Sequence, residues 1–154
     1  MRQPDGLCVA YPALDLTTTL TPSRLLFSSD LLLPYYLLEV CLDAYVDKNQ
    51  YDTTGNYLVS PLYAPDDLLK KLPPLYLQSA GFDPLLDDTT RFIRRLDHLG
   101  IEYQQRIYEL PHGFWNFGAI IDGGVHATNH ACEWMQNLFL ESEVACAKSK
   151  DQSK

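Results

Sequence analysis

The chain has 154 residues and is 46% hydrophobic, which is enough to bury the core of one domain of ordinary size. Its 12 basic and 20 acidic residues give a net charge of −8 with no long basic run, which argues against nucleic-acid binding and weakly against sustained binding to anionic lipid. The sequence shows neither a signal peptide nor a stretch that could span a membrane, so we expect a cytoplasmic protein.

The cysteines are widely separated and show no CxxC spacing, so neither a zinc site nor a disulfide framework can be read from them. We expect reduced thiols, as is usual inside cells. The four residues concerned are Cys8, Cys41, Cys132 and Cys146.

The first half of the chain predicts one strand and one long helix. Residues 6–11, "GLCVAY", form a short apolar run, which predicts a strand buried on both faces. Residues 15–30 are polar and predict a loop, and a turn-rich linker covers 47–56. One or two helical turns are expected over 65–72, where acids precede lysines as the helix dipole prefers. Residues 35–46 predict a helix with one apolar stripe, formed by Leu37, Leu38, Cys41, Leu42 and Tyr45.

The second half alternates regularly between strands and helices. Strands are predicted over 74–81 and 101–110, and helices over 84–99 and 125–140. The strand over 101–110 alternates apolar and polar residues, as at the edge of a sheet. This order with short connections predicts a parallel sheet with crossover helices. The inner face of the first of these helices is expected to carry Leu85, Thr89, Phe92, Leu96 and Leu99.

An aspartate and a histidine each lie two residues past the predicted end of a strand. Functional side chains of parallel sheets gather at the carboxyl ends of strands, so Asp83 and His112 are candidate site residues. Asp83 precedes Pro84, and local sequence favours it as the N-cap of the following helix; the two roles are compatible. Asp87 and Asp88 are then expected to be first-turn acids stabilised by the helix dipole.

His112 lies between Pro111 and Gly113, which predict a tight loop that holds the ring at the end of the strand. A structural role is common for a single histidine after a strand. However, an acid that ends one strand and a histidine that ends the next repeat the second half of the order Ser…Asp…His. In that chemistry the imidazole takes the proton of the serine, and the carboxylate fixes its tautomer.

A nucleophile for such a pair is not evident in the sequence. The signature G-x-S-x-G is absent, and the nearest match, "LQSAG" at 77–81, places Ser79 inside a strand rather than on a sharp turn. We therefore do not assign Ser79 as the nucleophile. Gly123 and Gly124 follow Asp122, where a cap or a turn is the favoured role rather than an oxyanion loop.

His126 and His130 have the i, i+4 spacing of a zinc site, and Glu133 follows one turn later. The HExxH form is absent, because Ala127 stands at the position of the glutamate. A solvated helix face is the favoured interpretation, and we expect no metal.

Several motifs resemble those of the hormone-sensitive lipase family: "YPALDL", "TPSRLL", "DLLLP", the block from Ser60 to Gly100 and "ELPHGF". The resemblance implies the C-terminal half of an α/β-hydrolase fold, with about three parallel strands and flanking helices. It further implies Asp83 as the acid and His112 as the base of a serine esterase triad that works without a cofactor. Members of the family cleave acylglycerols, cholesteryl esters and short soluble esters.

In that family the oxyanion loop and the serine motif precede the segment at which this chain starts. We therefore expect residues 1–141 to form part of a catalytic domain, residues 142–154 to form a flexible tail, and the chain alone to be inactive. The alternative is a non-catalytic truncated product that binds acyl ligands or a partner chain. An open edge at residues 6–11 predicts self-association. Contact with lipid droplets is compatible with "DLLLPYYLL" at 30–38, although a packing role is favoured for that segment.

Overall fold

The computed structural model describes residues 3–47, 50–118 and 120–151, with side chains as far as Ser142. Residues 152–154, the last part of the predicted tail, lie outside the described residues.

The centre of the fold is a three-stranded parallel sheet with strand order β1-β2-β3. The strands are β1 (Leu7–Ala10), β2 (Leu75–Phe82) and β3 (Tyr103–Pro111). Leu7 of β1 is paired with Leu75 of β2, which in turn is paired with Tyr103 of β3. The predicted fold class, an α/β fold with three parallel strands and flanking helices, is therefore confirmed.

The described residues contain five α-helices. They are α1 (Pro22–Leu26), α2 (Tyr35–Tyr45), α3 (Asp66–Leu69), α4 (Leu86–Leu99) and α5 (Asp122–Asp151), and short 3-10 turns occupy Pro61–Tyr63 and Phe114–Phe117. Of these helices, α4 and α5 pack against the sheet. None of the helices in this part of the chain is both long and apolar enough to cross a membrane.

The two faces of β2 are covered by different helices. Leu75 and Leu77 pack with Phe92 and Leu96 of α4 in the main core cluster. Gln78, which points to the opposite face, donates a hydrogen bond to the Ala127 carbonyl of α5 at 2.8 Å. The residues of β2 from Leu75 to Ala80 are buried, as expected for a strand that is covered on both faces.

β1 is less buried than its sequence predicted. All four of its residues are only half-buried. The reason is its position, since among the described residues β1 pairs with β2 and with no strand on its other side. The expectation of burial on both faces is therefore wrong for this chain, and β1 has an open edge.

The polar segment 15–30 is not wholly a loop, because it contains helix α1. The side chain of Thr21 caps this helix by accepting a hydrogen bond from the backbone N–H of Arg24, and Pro22 occupies the first turn. A threonine followed by a proline is a recognised start of a helix, so the sequence did carry the signal. The buried stripe of α2 is narrower than predicted, with Leu38 and Leu42 buried but Cys41 and Tyr45 exposed.

The predicted helix over 84–99 is present as α4, and Gly100 ends it in a left-handed conformation with φ of 65°. Its predicted inner face is buried except for Leu99, which is half-buried. The last helix is longer than predicted, because α5 begins at Asp122 and continues to Asp151. The boundary of the catalytic domain at residue 141 and the flexibility of the tail stay predictions.

Candidate active site

The structure brings Asp83 and His112 together at the carboxyl ends of neighbouring strands. Asp83 follows β2 directly and His112 follows β3 directly. The pairing between these strands shifts by one residue between Ala80 and Phe82, and Phe82 then pairs with Pro111. As a result Nδ1 of His112 lies 2.9 Å from Oδ2 of Asp83.

The carboxylate of Asp83 is held at both oxygens. Oδ1 accepts the backbone N–H of Leu85 at 2.8 Å, and Oδ2 faces the imidazole. The aspartate closes a turn ahead of α4, whose N-cap residue is Leu85, so Asp83 is not itself the N-cap. Its side chain is only 1% exposed, and the Leu85 bond fixes which oxygen reaches His112.

The loop of His112 is fixed by its backbone. Gly113 adopts a left-handed conformation with φ of 73°, which turns the chain sharply after the histidine. The backbone N–H of His112 donates to Oδ2 of Asp30 at 3.3 Å. The other oxygen of Asp30 accepts the backbone N–H groups of Leu32 and Leu33 at 2.8 and 2.6 Å. Sequence reasoning missed this role of Asp30, because nothing local to Asp30 indicates a contact 82 residues away.

The outer nitrogen of the imidazole is available for chemistry. The His112 side chain is 22% exposed, and within the described residues Nε2 has no hydrogen-bond partner. A carboxylate at Nδ1 stabilises the tautomer with its proton on that atom and leaves the Nε2 lone pair free to accept a proton. The pair can therefore act as a general base with an attached orienting acid.

Ser79 does not take part in this arrangement. It is 1% exposed in the middle of β2, and its Oγ has no hydrogen-bond partner. A serine sealed inside the sheet cannot reach a bound ester. The decision from the sequence not to assign it as the nucleophile agrees with this placement.

Comparison with known families matches residues 1–116 to the alpha/beta hydrolase fold. The chain belongs to the alpha/beta hydrolase fold family. This assignment covers the sheet, α4, and both Asp83 and His112.

Relatives of this alpha/beta hydrolase confirm the resemblance to hormone-sensitive lipases. The hormone-sensitive lipase of Mus musculus is 47% identical over 66 residues, which is 42% of this chain and 9% of the lipase. An esterase of Acinetobacter venetianus is 32% identical over 142 residues, or 90% of this chain and 44% of the esterase. The crystal structure of a hormone-sensitive lipase from a metagenome library superposes with a TM-score of 0.78 at 25% identity and covers 90% of this chain and 45% of that one. The chain therefore spans less than half the length of each relative.

Two further aspartates, both in the first turn of α4, connect this helix to residues 14–23, which lie far earlier in the chain. Oδ2 of Asp87 accepts the backbone N–H of Ser23 at 2.8 Å. Asp88 accepts the backbone N–H groups of Leu14 and Asp15 at 3.0 and 2.9 Å. The dipole interaction expected for these acids is therefore accompanied by direct bonds to residues about 70 positions earlier, which anchor the helix that follows Asp83.

The most deeply buried charges lie in the same contact. Arg24 donates to the carbonyls of Thr17 and Asp15 and lies 3.4 Å from Oδ1 of Asp88. Burial raises the pKa of Asp88 to about 6, although the charge of Arg24 opposes the shift. Burial also acts to raise the pKa of Asp15, but hydrogen bonds from Thr17 and Arg91 outweigh it and leave that pKa below its ordinary value.

The histidines of α5 do not form a metal site in the described part of the chain. Nδ1 of His130 is 2.9 Å from the Tyr108 hydroxyl, and the Arg106 guanidinium lies 3.2 Å from Nε2. A cation at this distance opposes metal binding. His126 is exposed, and the described residues contain no group of three ligands suited to a metal ion.

Proposed function

We propose that this chain contributes the acid and the base of a carboxylic ester hydrolase, with Asp83 as the acid and His112 as the base. The observation that carries the proposal is the 2.9 Å contact between Nδ1 of His112 and the buried carboxylate of Asp83. The names of the relatives, which are lipases and esterases, support esters as the substrate class. Acylglycerols, cholesteryl esters and short soluble esters are the expected substrates.

Each atom of the pair has a defined task in this mechanism. Asp83 keeps the proton of the imidazole on Nδ1 and stabilises the imidazolium that forms. Nε2 of His112 takes the proton of a serine hydroxyl while the serine oxygen attacks the ester carbonyl. The same nitrogen then returns the proton to the alcohol that leaves. Water repeats the cycle and releases the acid.

We further propose that the 154-residue polypeptide by itself does not turn over esters. Ser79 is the serine with the closest match to the nucleophile signature, and its buried Oγ is out of reach of a substrate. Loss of the nucleophile from a triad costs about a millionfold in kcat. A sensitive assay with p-nitrophenyl butyrate should give only background hydrolysis, and His112→Ala should not change it. Turnover that disappears in His112→Ala would contradict this proposal.

The roles of the pair can be tested in a chimera in which this chain replaces the matching 142 residues of the Acinetobacter venetianus esterase. We expect p-nitrophenyl ester hydrolysis that falls by about 10³-fold or more in Asp83→Asn and His112→Ala. Ser79→Ala is the matched control and should keep full activity. Activity that survives His112→Ala, or that is lost only in Ser79→Ala, would sink the assignment.

An apolar cleft beside the pair supports a substrate with a hydrocarbon part. The cleft has a volume of about 270 Å³, and two polar residues, Ser29 and Asp30, line it together with apolar ones. The apolar lining residues are Leu26, Phe27, Leu31, Phe82 and Pro111. Phe82 and Pro111 directly precede Asp83 and His112 in the sequence. Phe82→Ala should weaken binding of a fluorescent fatty acid several-fold. The same change at exposed Leu58, outside the cleft, should not. Equal binding by both variants would exclude this acyl site.

The open edge of β1 supports the second, non-catalytic role, in which two copies associate. The backbone N–H groups of Leu7 and Tyr11 point toward β2 and donate to the carbonyls of Pro74 and Gln78. Because N–H groups of a strand alternate in direction, that of Cys8 points to the open edge. Such an edge is a template for pairing with a second chain.

Light scattering on a size-exclusion column tests the association. The wild-type chain should form dimers or larger species. The Cys8→Pro variant, which lacks this outward N–H group, should be a monomer. Cys8→Ala is the matched control and should behave as wild type. A wild-type monomer at high concentration would rule the association out.

A cytoplasmic location with contact to lipid droplets stays a prediction. The exposed side chains of Leu25, Leu26 and Leu31 are compatible with a lipid surface. Flotation with artificial triacylglycerol droplets tests it, and Leu31→Asp should reduce recovery in the floating fraction. Equal recovery of wild type and Leu31→Asp in the floating fraction would show that Leu31 does not contribute to binding of the droplets.

A further inference from the structure

We propose that Tyr11 is a positioning residue for His112, which holds the imidazole in the orientation that leaves Nε2 open. The inference rests on the proposed role of His112 as the base. Tyr11 lies just past β1, far from both His112 and Asp83 in the sequence. It ends the predicted strand "GLCVAY" and begins the motif "YPALDL", but neither gives it a role at the site. Two observations support the proposal: a strained backbone and a set of ring contacts.

The backbone of Tyr11 is in an unfavourable conformation. Its φ is 38°, and among the described residues it is the only non-glycine with a positive φ. An aromatic residue adopts this conformation only where its surroundings hold it there. One such restraint is the bond of its N–H to the carbonyl of Gln78 at 2.6 Å, which fixes Tyr11 to the central strand. Strain of this kind concentrates at functional sites.

The ring of Tyr11 contacts three side chains of the loop that carries His112. Its centroid lies 4.8 Å from that of His112 with planes at 63°, and 5.0 Å from that of Phe114 at 77°. A third edge contact reaches Trp115 at 6.4 Å. These T-shaped geometries are the favourable ones for aromatic rings. One ring just past β1 therefore contacts the loop after β3 at three residues.

The phenol of Tyr11 carries no charge into this contact. The backbone of Trp115 acts to lower the pKa of Tyr11. Burial has the larger effect and raises the pKa, and the negative charge of Asp83 adds to the increase. The phenol therefore stays neutral at pH 7 and introduces no charge that would compete with the bond between Asp83 and His112.

These contacts supply what the carboxylate alone cannot. One hydrogen bond to Nδ1 leaves the imidazole free to pivot about that bond, and a pivot would move Nε2 away from the open side. A ring packed against the imidazole blocks this motion. A displacement of about 1 Å at such an atom can cost about 100-fold in rate, so a rigid wall beside the base has a functional purpose.

Nuclear magnetic resonance on the intact chain tests the proposal without an activity assay. With ¹⁵N-labelled histidine, and His112→Ala to assign the signals, we expect a slowly exchanging proton on Nδ1 of His112 in the wild type. Tyr11→Gly suits the positive φ but removes the ring, and it should lose this signal. Tyr11→Phe keeps the ring and should retain it. A purely structural role would lower the melting temperature but leave the signal in all folded variants.

The outcomes separate the two proposals. If Asp83→Asn leaves the Nδ1 signal unchanged, the acid–base pair itself is wrong. If Asp83→Asn removes it but folded Tyr11→Gly retains it, the role of Tyr11 is overturned. Wild-type nuclear Overhauser contacts between the rings of Tyr11 and His112 are also required, and their absence overturns the role even if the variants do not fold.

Discussion

The guanidinium of Arg24 lies 3.4 Å from Oδ1 of Asp88, and both side chains are completely buried. This pair joins helix α1 to helix α4, whose preceding turn carries Asp83. Backbone groups surround it, since Arg24 donates to the carbonyls of Thr17 and Asp15 at 2.6 Å each. The geometry of the proposed acid therefore depends on a buried contact between segments that are distant in the sequence.

Arg24→Met should destabilise the chain strongly. The substitution keeps much of the side-chain volume but leaves the charge of Asp88 buried without its partner, which costs about 3–5 kcal/mol. Urea unfolding followed by circular dichroism measures the change. Arg94→Met, at an exposed position of helix α4, is the control and should stay within about 0.5 kcal/mol of wild type. Equal stabilities of the two variants would contradict the importance of the pair.

The contribution of Asp88 to the free energy of unfolding should decrease as the pH rises from 4 to 7. Its pKa is about 6 in the folded chain against an ordinary 3.8, because burial disfavours the charged form. The folded state then binds the proton more tightly than the unfolded state. The stabilising contribution of Asp88 is therefore complete below about pH 4 and is lost as the pH rises through 6, by about 3 kcal/mol in total.

This pH signature is measured as the difference in stability between wild type and Asp88→Asn at a series of pH values. The difference should favour wild type more at pH 4 than at pH 7. The pKa of Asp15 is lowered, so its contribution to the free energy of unfolding changes with pH only below this range. Asp15 therefore does not mask the trend. A difference that is constant with pH, or that grows toward pH 7, would show that Asp88 does not bind a proton near pH 6.

Gly124→Ala should disturb the loop of His112 from the side of α5. A Cβ atom at position 124 would lie 2.6 Å from the carbonyl oxygen of Phe114, which neither backbone can accommodate without moving. Overpacking of this kind costs about 1–3 kcal/mol. The change should appear in thermal unfolding and in the chemical shifts of His112. Gly118→Ala, whose Cβ would meet nothing closer than 3.6 Å, is the matched control and should be neutral. A neutral Gly124→Ala would show that the contact is not tight.

Substitution of Asp30 should separate its two tasks. Asp30→Asn keeps an oxygen for the N–H groups of Leu32 and Leu33 but loses the acceptor for His112. Hydrogen exchange of the His112 amide should therefore accelerate by about fivefold, which corresponds to about 1 kcal/mol, while Leu32 and Leu33 stay protected. Asp30→Ala should accelerate all three. Unchanged exchange at His112 in both variants would mean that the 3.3 Å bond contributes nothing.

Much of the fold was predictable because it follows from local patterns. Apolar runs and the alternation of strand and helix predicted all three strands and the parallel sheet, since these periodicities are properties of consecutive residues. The positions of Asp83 and His112 followed from a topological rule that places strand ends on one edge. Helix α1 was missed although Thr21 and Pro22 carried its signal, because the polar composition around them outweighed it.

The sequence by itself determined the order of the elements, the strand ends that carry Asp83 and His112, and the family resemblance. Only the tertiary structure decided that one oxygen of Asp83 turns to Leu85 and the other to His112. It likewise decided that Asp30 holds His112 across 82 positions and that Asp88 reaches back 74 positions to Leu14. Contacts of this range leave no local periodicity, because they depend on how the strands and helices pack and not on the spacing of neighbouring residues.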